Sequence, residues 1–216
     1  VCIFYTTIGG MKAVLWTDTV QVILMYAAMM LVIFNGMVDE GGFTEVWEKN
    51  VNGSRVELIN WDPNPITRHS IWSLIIGGYF TWVANYGVNQ AQIQRYLCVK
   101  KKSMAVRALW INLFALFFLM IMCAFGGMVI FAHYHDCDPL LNEQISKADQ
   151  LMPLFVMDTL GKWPGVPGLF VAGIFSGALS TVSSGMNSLA AIVLEDFLKG
   201  PIWPTITERQ ATWASK

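Results

Sequence analysis

The sequence predicts an all-α membrane protein with four transmembrane helices, on three observations. Hydrophobic residues make up 55% of the 216 positions and charged residues only 13%, against roughly 25% charged in a soluble domain. The mean hydropathy is positive, at +0.48. The charges are gathered into a few segments, which leaves uncharged stretches at 19–38, 70–94, 108–132 and 163–194. A helix needs about 20 residues to cross ~30 Å of hydrocarbon, so each stretch is long enough to span. Spans are expected at 17–38, 70–97, 104–132 and 167–194, joined by loops at 39–69, 98–103 and 133–166.

The first span is expected to start at Thr17 and Asp18, whose oxygens suit the unsatisfied amides of a helix N-terminus. Val22, Ile23, Leu24, Met25, Leu31, Val32, Ile33 and Phe34 surround its axis and leave little polar face. Gly41 and Gly42 end it, and Asp62, Pro63, Asn64 and Pro65 supply turn chemistry before the second span. That span is apolar only in its first half. From Asn85 it reads NYGVNQAQIQ, which places Asn89, Gln90, Gln92 and Gln94 at or near membrane depth. Unsatisfied amides in hydrocarbon cost several kcal/mol, so this half must face protein, water or a ligand. Gly77, Gly78 and Gly87 permit a break in the helix, and a broken helix at the midplane is one way that transporters hold a solute. Hydrogen bonding between helices accounts for the same amides.

The third span is rich in Leu, Phe, Met and Ala, with Asn112 among its few polar groups, and reads as scaffold. Beyond it, residues 133–138 (HYHDCD) carry metal-ligating side chains, but neighbours in one loop rarely converge on one ion, and a water-facing interface explains them more simply. A Pro and Gly run, Trp163 to Gly168, precedes the fourth span. Here Ser176, Ser180, Ser183 and Asn187 form one stripe at helical spacing, and Gly177, Thr181, Ser184 and Ser188 form a second beside it. Ile174, Leu179, Val182, Met186 and Leu189 lie opposite. Neutral hydroxyl and carbonyl oxygens suit a hard monovalent cation such as sodium. Gly173, Gly177 and Thr181 also make a small-xxx-small ladder, the ordinary signature of close helix packing.

Charge sets an expected orientation. Arg95, Lys100, Lys101, Lys102 and Arg107 have no acidic neighbour between them, so the 98–103 loop is expected on the cytoplasmic side. By alternation, both ends of the chain lie inside, and the loops at 39–69 and 133–166 lie outside. Those two loops hold eleven acids, Glu57 among them, against five Lys or Arg. Asn52, Gly53 and Ser54 form a glycosylation acceptor in the first of these loops. Of four cysteines only Cys137 falls clearly in an outer loop, so no internal disulfide is expected. A net charge of −1 excludes a strongly basic nucleic-acid binder. The chain opens on Val1 in mid-loop and closes on a polar run from Pro201 to Lys216, the pattern expected of a fragment.

Three stretches carry a resemblance: YTTIGGMKAVLWTDTVQ at 5–21, YGVNQAQIQR at 86–95 and GIFSGALSTVSSGMNSLAAIVLEDF at 173–197. In order and separation they are similar to the sodium/solute symporter family, over essentially the whole chain. The resemblance implies core helices five to eight of an inverted-repeat, five-plus-five transporter core. It implies that Gly177, through its carbonyl, and Ser180 and Thr181, through their hydroxyls, contribute to a sodium site. Ser183 and Ser184 match a second sodium position in some members. Trp82, Asn85, Tyr86, Asn89 and Gln90 match the solute cavity and gate. Sugar-carrying members have a Tyr-Trp pair before the glycine, where this chain has Asn85 and Tyr86; LSTVSS at 179–184, followed by Glu195 and Asp196, is more similar to the monocarboxylate, vitamin and iodide branch.

The expected activity is therefore sodium-coupled symport of a small anion across the plasma membrane. Symport of a neutral solute such as a sugar, or a non-transporting channel or scaffold, are the alternatives. No enzyme is expected: the spans hold no carboxylate pair, no nucleophile with a nearby base and no phosphate loop.

Overall fold

The computed structural model describes residues 2–56, 59–203 and 205–214. Glu57, one of the acids counted above, and both chain ends, Val1 and Lys216, lie outside them. Every described element is helical. The helices are α1 (Cys2–Asp39), α2 (Phe43–Asn52), α3 (Ile71–Val83), α4 (Gln90–Leu97), α5 (Lys102–His133), α6 (Leu151–Leu160), α7 (Val166–Ile192) and α8 (Glu208–Ala214). A π-helical stretch follows α3 at Ala84–Val88, and another follows α7 at Val193–Ile202.

Among the described residues, three segments are long and apolar enough to cross a membrane: Lys12–Asp39, Lys102–His133 and Val166–Lys199. The second expected span is divided. The π-helical turn widens the chain over Ala84–Val88, Asn89 is extended at φ −69° and ψ 119°, and α4 starts afresh behind it. Asn89 Oδ1 accepts from the Ala91 amide at 3.0 Å and so caps the new helix.

The expected start of the first span is corrected. α1 runs through Thr17 and Asp18 and is interrupted instead at Gly10, whose φ of +57° only glycine adopts at low cost. Thr17 Oγ1 donates backward to the Val14 carbonyl at 3.0 Å, and Thr19 Oγ1 does the same to Leu15 at 2.8 Å. These hydroxyls serve carbonyls already inside a helix, so they cap nothing.

The chain divides into two compact units. One comprises 23–72 and 106–174, and its core is Val32, Val46, Val129, Ala132, Phe155, Val156, Leu160 and Phe170. Close approach of helices there depends on missing side chains. A Cβ on Gly36 would stand 2.4 Å from Phe155 Cζ and 2.8 Å from Val129 Cγ1, and one on Gly173 would stand 2.8 Å from Ala28 Cβ. Asn50 is buried; it donates to the Val46 carbonyl of its own helix at 2.7 Å and ties α2 to α5 by donating to the Met128 carbonyl at 2.9 Å.

At the end of α1 in this unit, Glu40 accepts from Lys49 Nζ at 2.7 Å and meets His133 Nδ1 at 2.7 Å. Burial pushes the Glu40 carboxyl up, but the two hydrogen bonds outweigh it and hold the group below its ordinary range. The hydrogen bond to Glu40 raises Lys49. Asp62 anchors the loop before α3, accepting from Thr67 Oγ1 at 2.7 Å and from the Asn64 amide at 3.0 Å, and is held low by both bonds. Tyr134, half-buried and donating to Asp158 at 2.6 Å, is held above its usual value by desolvation and that hydrogen bond.

The other unit comprises 1–22, 73–105 and 175–216 and contains the residues singled out for ion and solute binding.

Candidate ion and solute site

α7 is amphipathic in the sense that its first hydroxyl stripe requires. Ser176 is 8% exposed and Ser183 0%, while Ile174, Val182, Met186 and Leu189 on the other side are exposed. The periodicity therefore turns the first stripe inward, against protein. The Ser183 hydroxyl is buried and lacks a hydrogen-bond partner. In the second stripe, Thr181 Oγ1 donates to the Gly177 carbonyl at 3.2 Å, so two neutral oxygens are held side by side on one helix face. Ser180, in the first stripe, is half-buried. Gly177, Ser180 and Thr181 thus present a carbonyl and two hydroxyls within one turn, the oxygen chemistry that sodium accepts.

The broken span supplies a different kind of surface. Trp82 and Tyr86, four residues apart, bring their rings to 5.6 Å between centroids, tilted by 34°. Asn85 is exposed just before the break, and Asn89 stands at it with its carbonyl oxygen engaged as the α4 cap. Gln90 opens α4 and is half-buried. Where a helix is interrupted, freed backbone groups and side-chain amides are available to a polar solute that an unbroken span would exclude.

One contact joins three segments of this unit. Arg95 Nη2, on α4, donates to Asp18 Oδ2 on α1 and to Ser184 Oγ on α7, the latter at 2.5 Å. Asp18, first read as a cap, is instead a buried carboxylate at 7% exposure paired with an arginine 77 positions away. Sequence reading placed Arg95 in a cytoplasmic basic cluster and missed this pairing. The available signal was an acid and a base both standing near the ends of otherwise uncharged stretches. Around the pair, Asp18 Oδ1, Gln21 Oε1, Gln94 Oε1 and Tyr96 Oη are also buried without a hydrogen-bond partner.

The candidate metal-ligating loop residues disperse. His133 turns to Glu40, Tyr134 to Asp158, and His135 to Asp136 at 3.1 Å. Among the described residues no three His, Cys, Asp or Glu gather as metal ligands. Asn52 is exposed at the last position of α2, and Arg55 just beyond stacks its guanidinium over the Phe131 ring at 4.9 Å. Cys98, Cys123 and Cys137 are free thiols.

Long apolar helices, one broken span and a hydroxyl-lined helix define a piece of a membrane carrier core. The chain belongs to the sodium:solute symporter family, whose family model matches residues 1–216. It is 46% identical over its whole length to a human sodium-coupled monocarboxylate transporter 1 and 44% identical to human sodium-coupled monocarboxylate transporter 2. It is 46% identical to a putative sodium-dependent multivitamin transporter of Drosophila melanogaster. The chain spans about a third of the length of these relatives: 35% of the two human proteins and 36% of the fly protein. Its fold matches that of a Na+-coupled sialic acid symporter in a substrate-bound, outward-open state with a TM-score of 0.80 at 25% identity, covering 99% of this chain and 45% of that one. The relatives are transporters, and the fold is that of part of an all-helical, inverted-repeat carrier core.

Proposed function

We propose that this chain forms part of a plasma-membrane symporter that couples the inward movement of sodium to the uptake of a small anion, such as a monocarboxylate, a vitamin or iodide. The observation that carries the reading is the pairing, within one compact unit, of a hydroxyl-bearing α7 with a span broken at Asn89. The similarity to monocarboxylate and multivitamin carriers favours an anion over a sugar.

Sodium is held by Gly177, Ser180 and Thr181 together with oxygens from a first core helix that the family supplies. Ser183 and Ser184 serve a second sodium, and Asp18, which shares Arg95 with Ser184, supplies that position with negative charge. Trp82, Asn85, Tyr86, Asn89 and Gln90 line the solute path and its gate. In this reading the chain crosses the membrane four times, with the 39–69 and 133–166 loops outside, where Asn52 carries a glycan, and with both ends of the chain and the 98–103 loop inside. The lipid bilayer covers exposed apolar residues such as Phe114 and Phe117 of α5.

The driving force suits the task. At about 100 mV one inward charge releases ~2.3 kcal/mol, and a tenfold sodium gradient adds ~1.4, sufficient for roughly 500-fold accumulation of a neutral solute. A monovalent anion moving with one sodium loses the voltage contribution, and a second sodium restores it.

The test is uptake by the full-length protein of radiolabelled lactate, biotin, iodide and glucose, in sodium and in choline. Sodium-dependent uptake of one of the anions supports the reading. Uptake of glucose alone points to a neutral-solute carrier, and uptake indifferent to sodium leaves the polar stripes as helix packing.

A further inference from the structure

Arg95 stands where a cation would. Its Nη2 touches one oxygen of Asp18 and the hydroxyl of Ser184, so a single positive group bridges a buried carboxylate and a serine from two different helices. The remaining carboxylate oxygen, Asp18 Oδ1, and the neighbouring Ser183 hydroxyl are buried and unpartnered. A buried carboxylate needs a positive partner, and in this arrangement a side chain of the protein provides it. Two cations at the same oxygens would repel each other where little water screens them.

We propose that Arg95 is a tethered competitor of the transported ion: guanidinium and sodium are alternative occupants of the oxygens of Asp18 and Ser184. This rests on the second sodium position proposed above and adds its regulation. With sodium absent, Arg95 neutralises Asp18, so the empty carrier holds no uncompensated buried charge and can return. Sodium arriving at Ser183 and Ser184 displaces the guanidinium, which sits at the start of the basic 95–107 segment and is 30% exposed, with room to withdraw. The sodium requirement is then set partly by how strongly Arg95 holds Asp18.

The experiment measures sodium activation of uptake, and 22Na binding to the purified full-length protein, for wild type, Arg95→Gln, Arg95→Lys, Asp18→Asn and the Asp18→Asn, Arg95→Gln double variant. Glutamine keeps a side-chain donor, on a shorter reach, without the charge. Arg95→Gln is expected to lower the half-saturating sodium concentration about fivefold or more, the scale of a typical coupling between sites. Arg95→Lys keeps the competitor and stays near wild type, and in the Asp18→Asn background Arg95→Gln has no further effect. A merely structural arginine would not tighten sodium binding when removed.

In the wild-type protein, arginine-specific labelling of Arg95, followed by peptide mass spectrometry, is expected to speed up on adding sodium, which tests displacement without any variant. Sodium affinity unchanged or weakened in Arg95→Gln, or labelling unchanged or slowed, overturns the competition. If Ser180→Ala, Thr181→Ala still raises the sodium requirement in that event, the sodium reading of α7 stands without it. If that double variant also behaves as wild type, the ion site itself is wrong and the competition falls with it.

Discussion

Two glycines on helices of the same compact unit should respond to the same methyl group with opposite signs. On Gly36 a Cβ would stand 2.4 Å from Phe155 Cζ and 2.8 Å from Val129 Cγ1. Neither neighbour has room to yield. Phe155 is 1% exposed, with the His133 ring 5.2 Å and the Tyr134 ring 6.4 Å from its own, and Val129 is fully buried. On Gly126 the added carbon would meet Ile33 at 3.5 Å, an ordinary contact. Replacing glycine by alanine inside a helix gains about 1 kcal/mol in either place. Overpacking at Gly36 costs ~1–3 kcal/mol, because a well-packed interior must shift to admit the methyl. The helix gain is common to both, so the gap between the variants is the overpacking alone. A change of 1 kcal/mol moves the midpoint of a cooperatively melting domain of 150–250 residues, the range that holds this 216-residue chain, by ~2–4 °C, which makes the expected gap about 2–12 °C. Thermal unfolding of the purified full-length protein, followed by tryptophan fluorescence, should rank Gly126→Ala at or above wild type and clearly above Gly36→Ala. Gly36→Ala melting at or above Gly126→Ala would refute the packing of α1 against α5 and α6 described here.

Two further outcomes follow from local geometry. Asn89→Ala removes the cap at the head of α4 and should cost about 1 kcal/mol, so the Ala91 amide should exchange with deuterium roughly fivefold faster; unchanged exchange would mean that the broken span does not depend on its cap. The Glu40–Lys49 pair should contribute at most about 1 kcal/mol, since Lys49 is partly exposed. Because Glu40 is lowered from 4.5 and Lys49 raised from 10.5, that contribution is complete between those values. It is lost as pH falls from 4.5 through the lower folded value of Glu40, and as pH rises from 10.5 through the higher one of Lys49. The difference in melting temperature between wild type and Glu40→Gln should therefore be flat near neutrality and shrink in acid; a difference that grows in acid contradicts the pairing.

What was legible in the sequence is what periodicity and polarity encode. The recurrence of Ser176, Ser180 and Ser183 at helical spacing placed them on one face before any coordinates, and the structure buries Ser176 and Ser183 on it. The cluster of amides after Asn85, with Gly87 among them, marked a span in which a break was permitted, and it breaks at Asn89. The start of α1 was not legible. Thr17 and Asp18 have the composition of a cap, and only the direction of their bonds shows otherwise: Thr17 reaches back to Val14, and Asp18 reaches across to Arg95. That ion pair joins positions 77 apart, and nothing local to either residue announces the other. The kink at Gly10 was equally hidden, because a glycine within an apolar run fits a helix interior and a helix break alike.

The central claim is that the hydroxyl face of α7 binds the coupling ion. Its most direct test is the sodium-activation curve of anion uptake by the full-length protein carrying Ser180→Ala and Thr181→Ala. Each lost ligand oxygen resembles a lost hydrogen bond to a charged group, worth ~1.5–3 kcal/mol, so the half-saturating sodium concentration should rise at least tenfold. A double variant with the sodium curve of wild type would contradict the account.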